Sequence, residues 1–113
     1  MKKDFSIYLE DIIKSISHIE KYTQNVSFKH FEEDIYMQDA TIRRFQIIGE
    51  AVKRIPEDFK QTHSNIPWKL ATGMRDVLIH NYNEVNLDRL WKTIIEDLPP
   101  FKKYIEELLK QLD

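Results

Sequence analysis

Residues 5–24 read FSIYLEDIIKSISHIEKYTQ, and their apolar members Phe5, Leu9, Ile12, Ile16 and Ile19 recur at intervals of four and three. That spacing lays one stripe along a helix running from Asp4, suited to cap it, to about Gln24. Outward from it the same period returns. A second helix is expected from Tyr36 to Ile55, with Phe45, Ile48, Val52 and Ile55 on one side and Ile47 and Ala51 widening the stripe, until Pro56 stops it. A third is expected from Trp68 to about His80, with Pro67 near its start, where a missing N–H costs nothing. A fourth begins near Asn86 and carries Leu87, Leu90, Trp91, Ile94 and Leu98. Pro99 and Pro100 then kink or split it before Phe101, Ile105, Leu108 and Leu112 resume. Between these, NVSFKHFEED reads as a link with at most a short helical turn, PEDFKQTHSNIP as a polar connection and NYNEVN as a break. Two glycines, no Asn-Gly or Asp-Gly pair and no alternating pattern argue against a sheet. The expected fold is an all-α, up-and-down helical bundle of four main helices, the last kinked or split at Pro99-Pro100.

A chain of 113 residues, 42% of them hydrophobic, has room for one domain and one core, so residues 1–113 are read as a single domain. Seventeen lysines and arginines against nineteen acids give a formal charge of -2, so any attraction to nucleic acid must come from a local patch. With no cysteine, disulfides, thiolate metal sites and cysteine nucleophiles are excluded, which fits a reducing, cytoplasmic setting. Charged residues interrupt every apolar run, so neither a signal peptide nor a membrane span of about 20 residues is expected.

Residues 73–82, GMRDVLIHNY, concentrate the chemistry. At about 100° per residue, Leu70, Met74, Val77 and Leu78 share a core-facing sector. Asp76 and His80, four apart, stack on one flank, where the carboxylate favours the protonated ring; Arg75 lies on the other. Ile79 falls between them, opposite the core, and is best explained by a second copy covering that face. The expectation is a homodimer in which Arg75 and His80 of both chains line one cleft. Such a cleft suits cleavage of RNA by its own 2'-hydroxyl, which needs a base, an acid and a cation for the phosphorane, and no metal. Taken by spacing alone, the Asp76–His80 pair also matches a surface ion pair, and His80 a residue complementing a helix dipole.

The segment RDVLIHNY resembles the signature of the HEPN superfamily in its HepT-like form: Arg, four residues, His, one residue, Tyr, with a polar residue directly after the Arg. The stretches RRFQIIGEAVKRIPEDF, IPWKLATGMRD and LWKTIIEDLPPFKKYI are also similar to that family, so the resemblance runs from about Phe5 to Leu109. It implies an α-helical homodimer acting as the ribonuclease toxin of a toxin–antitoxin pair. Arg75 would bind phosphate, His80 would be the acid or base, and Asp76 would orient one of them. It also implies a partner, a small MNT-type nucleotidyltransferase, that neutralises the toxin by transferring AMP from ATP to Tyr82. The chain itself would use no cofactor. An added phosphate beside Arg75 and His80 would occupy their charge and block the groove.

Glu50, Ile79 and Asn81 are further candidates for lining the cleft, whereas Lys53 and Arg54 read as a solvated face. Gly49, which costs about 1 kcal/mol relative to Ala mid-helix, points to a closely packed neighbouring helix. Trp68 and Trp91 are expected in the core or an interface. His18, His30 and His63 share no ligand spacing, so no metal site is expected. Two other readings stay open: a non-catalytic helical binding module that partners a nucleotidyltransferase, and a purely structural helical dimer.

Overall fold

The computed structural model describes residues 5–71 and 86–112. Among the described residues there is no strand, and the helices with defined bounds are α1 Ser6–Thr23, α2 Phe28–Glu33, α3 Ile35–Arg54, α4 Glu57–Thr62, α5 Leu87–Lys92 and α6 Leu98–Leu112. A π-helical segment, Thr93–Asp97, joins the last two. Residues 68–71 are also helical. The all-α reading therefore holds.

The predicted stripes are the core. Leu9, Ile12, Ile16 and Ile19 of α1 are fully buried, as are Ile48 and Val52 of α3 and Leu98, Phe101 and Ile105 of α6. Removing each such side chain from water contributes about 1.5–3 kcal/mol, which fixes which faces meet. Helix α1 is the hub, packing on α3 and on α6. Gly49 is buried, in keeping with the close approach expected there.

Two segments expected as connections are helical. α2 starts at Ser27, whose hydroxyl accepts from the His30 N–H at 3.1 Å. Asp34 ends α2 and caps α3, its carboxylate accepting from the Met37 N–H at 3.1 Å. Gln38 donates from Nε2 to the carbonyls of Phe31 and Glu32 at 2.9 and 3.0 Å, satisfying acceptors that the end of α2 leaves open. Phe31 at 0% exposure pins α2 to the core. In the second segment, α4 follows Pro56, and Phe59 meets the Phe5 ring at 4.4 Å. Lys60 reaches back to the Val52 carbonyl at 3.2 Å, near the end of α3.

The expected kink at Pro99-Pro100 is displaced upstream. Both prolines lie in the first turn of α6, and the irregularity is the π segment just before them, where the Leu98 N–H donates to the Thr93 carbonyl five residues back. Proline lacks an N–H, and its ring collides with the carbonyl four residues earlier. The wider π turn relieves both problems without breaking the helix. It also rotates α6 relative to α5, so α5 packs on α2 while α6 packs on α1.

Candidate functional site

Arg75, Asp76, Ile79, His80, Asn81 and Tyr82 lie outside the described residues; the structure places the segments on either side of them. Before them, Trp68 is buried, its Nε1 donating to the His63 carbonyl at 3.1 Å and its ring meeting Phe101 edge-on at 6.4 Å. Ala71 is fully buried three residues later. After them, Asn86 caps α5, its side-chain oxygen accepting from the Arg89 N–H at 3.1 Å, as the sequence predicts. The upstream flank is thus tied to the core through a buried indole, and the downstream flank opens a capped helix whose Leu90 is buried.

Glu50 is half-buried on α3, between buried Gly49 and Ala51. One turn further on, the Arg54 guanidinium lies 6.0 Å from the centroid of the Tyr8 ring. Lys53 and Arg54 are both exposed, as expected, and Arg54 in addition lies against an aromatic of α1, where a cation over a ring face is stabilised. Trp91 packs on Phe31 with ring centroids 5.1 Å apart, so both tryptophans serve packing.

The histidines are separated. His30 pairs with Asp34 at 3.5 Å, and His63 contacts the Phe59 carbonyl through Nδ1 at 3.0 Å. Among the described residues no group of three or more His, Cys, Asp or Glu could hold a metal. No helix among them is long and apolar enough to cross a membrane.

His18 differs. Its ring lies 6.2 Å from that of Tyr22. Desolvation, followed by the charges of Arg44, Lys14 and Lys21, pushes its pKa below the ordinary histidine value. The ring is half-exposed, so the neighbouring cations are the more persuasive cause. The cluster is not local in sequence: Arg44 is 26 residues from His18, and only the pairing of α1 with α3 brings it near.

The fold is that of an all-α helical bundle, with Trp68 and Ala71 buried before the Arg75–Tyr82 segment and a capped helix after it. The chain belongs to the HepT-like ribonuclease family, whose family model matches residues 12–108. It is 47% identical over 110 residues to the "Probable ribonuclease HepT" of Thermococcus cleftensis, a match covering 97% of this chain and 100% of that protein. It is 42% identical over 113 residues to a "Gamma-glutamylcyclotransferase and putative RNase" of Methanocaldococcus jannaschii, where it covers the whole of this chain but only 51% of the relative. A "Putative RNase" of Caldanaerobacter subterraneus is 39% identical over 104 residues, with 92% of this chain and 93% of that protein covered. No solved structure matches the chain.

Proposed function

We propose that this protein is a metal-independent endoribonuclease acting as the toxin of a toxin–antitoxin pair, working as a homodimer. What carries the reading is the coincidence of two facts. The chain is HepT-like over residues 12–108, and within that span it keeps Arg75, Asp76, His80 and Tyr82 at the spacing of the motif.

In the proposed reaction a ribose 2'-oxygen attacks the adjacent phosphorus while a base takes its proton. The bond from phosphorus to the 5'-oxygen breaks, and an acid returns a proton to that oxygen. The products are a 2',3'-cyclic phosphate and a 5'-hydroxyl. A histidine side chain can both accept and donate a proton, so His80 suits either transfer, two copies across the dimer supplying both. Arg75 presents a bidentate fork to the phosphorane oxygens. Asp76, four residues before His80 in sequence, orients the site. Glu50, Ile79 and Asn81 line the cleft. The off-switch is transfer of AMP to the Tyr82 hydroxyl by an MNT-type nucleotidyltransferase, which releases pyrophosphate from ATP and places a phosphodiester beside Arg75 and His80.

The test is cleavage of end-labelled RNA by the purified protein with EDTA present. Wild type should yield cyclic-phosphate ends, and His80→Ala should be slower by about 100-fold or more. Absence of cleavage by wild type across varied RNAs, with no growth arrest on expression, would assign the chain instead to the non-catalytic binding module.

A further inference from the structure

We propose that Lys14, His18 and Lys21 on α1, with Arg44 facing them from α3, form a contact surface for the phosphate backbone of single-stranded RNA. The proposal rests on the ribonuclease reading above and adds the surface that holds the substrate strand away from the scissile bond.

The geometry starts from helical spacing. Lys14 lies four residues before His18 and Lys21 three after, so all three project from one face of α1. Helix α3 pairs with α1 in a register marked by Arg54 over the Tyr8 ring. The helices run antiparallel, so ten residues on from Tyr8 in α1 and ten back from Arg54 in α3 bring His18 opposite Arg44. The charges of Arg44, Lys14 and Lys21 are all felt at the His18 ring. Lys14 and Lys21 are exposed, Arg44 is half-exposed, and none of the three makes an ion pair among the described residues.

Neutralisation is local and weak. Glu20, the acid between these residues in sequence, is drawn to Lys102 of α6 at 2.7 Å. Glu10 and Asp11, four and three residues before Lys14, neighbour it at the N-terminal end of the face, away from Lys21. A protein of formal charge -2 thus keeps three cations, unpaired among the described residues, and an imidazole together on one surface. Their like charges repel, so the cluster opposes folding slightly and gains only when a polyanion covers it. Tyr22, whose ring adjoins that of His18, adds a half-exposed aromatic on which a base could stack. Evenly spaced phosphates with an adjoining aromatic fit single-stranded RNA better than an acidic protein face, whose carboxylates gain nothing from the ring.

The experiment measures binding apart from cleavage. Fluorescence anisotropy would follow a labelled 2'-O-methyl RNA of about 12 nucleotides, which lacks the attacking hydroxyl, over a range of salt concentrations. Wild type is compared with Lys14→Gln/Lys21→Gln/Arg44→Gln. Three lost phosphate contacts should lower the slope of log K against log salt by about 2 and weaken binding on the order of tenfold at low salt. Thermal melting and light scattering should show the variant folded and of unchanged mass. Unchanged affinity and slope would overturn the proposal, whether or not wild type cleaves RNA. A change in oligomeric mass would reassign the patch to contact between copies. Retained RNA binding with lost nucleotidyltransferase binding would reassign it to that protein, and either result overturns the proposal. If wild type cleaves nothing but the slope falls as stated, the ribonuclease reading fails and the RNA surface stands.

Discussion

The indole of Trp68 stands at 89° to the Phe101 ring with centroids 6.4 Å apart, while its Nε1 holds the His63 carbonyl at 3.1 Å. One side chain therefore fills the core and fixes the chain seven residues before Arg75. Trp68→Ala should cost about 3–5 kcal/mol of stability in urea denaturation. Trp68→Phe retains a ring in the core but loses volume and the indole N–H, and should cost less, about 1–3 kcal/mol. Ribonuclease activity should fall in Trp68→Ala even at temperatures where the variant remains folded.

Thr41 is fully buried on α3, and its hydroxyl has no hydrogen-bond partner among the described residues. Thr41→Val keeps the shape and removes an unpaired polar group, so it should stabilise the fold by about 1 kcal/mol. A lower denaturation midpoint would show that the hydroxyl is satisfied in solution.

The π segment amounts to one residue added to a helical turn. Deleting exposed Ile95 together with Pro99→Ala and Pro100→Ala should let residues 87–112 form an ordinary α-helix with Phe101, Ile105 and Leu108 still facing the core. That variant should fold cooperatively. Deleting exposed Lys103 instead turns Ile105 and Leu108 by about 100° relative to the core and should abolish cooperative unfolding. Circular dichroism melts of the two deletions decide the matter.

His18 carries a depressed pKa in the folded protein because desolvation and the charges of Arg44, Lys14 and Lys21 disfavour its protonated form. Above the unfolded value of about 6.5 neither state is protonated, so His18 gives stability no pH dependence there. As the pH falls through and below that value the unfolded chain takes up the proton first, and stability is lost until the folded pKa is reached. The urea midpoint should therefore drop less between pH 7.5 and 5.5 in His18→Gln than in wild type. RNA phosphates on this surface would reverse the sign for binding, so wild type should bind RNA more tightly at pH 5.5, with the gain reduced in His18→Gln.

Tyr82 is proposed as the acceptor of AMP. Incubating the protein with ATP, magnesium and an MNT-type nucleotidyltransferase should raise its mass by whole multiples of one AMP residue and abolish cleavage. Tyr82→Phe should keep its mass and its activity. Modification that persists in Tyr82→Phe would move the acceptor to another residue.

The helical class and the long helices α1, α3 and α6 were legible in the sequence. Stripes such as Leu9, Ile12, Ile16 and Ile19 must be buried, and a helix is the regular backbone that gathers that spacing on one side. The cap at Asn86 was legible too, because it depends on a residue three positions away. Helices α2 and α4, of six residues each, span fewer than two turns and carry too little periodicity to stand out. The π segment was hidden for another reason: Leu90, Ile94, Leu98 and Phe101 keep a spacing that an unbroken α-helix would also bury. What decides between the two is the need for α5 to meet α2 and α6 to meet α1, with two prolines at the junction. The motif from Arg75 to Tyr82 is contiguous, so the sequence by itself determined it. The cationic surface joins residues 14–21 to residue 44, and only the antiparallel packing of α1 on α3 could put those charges together.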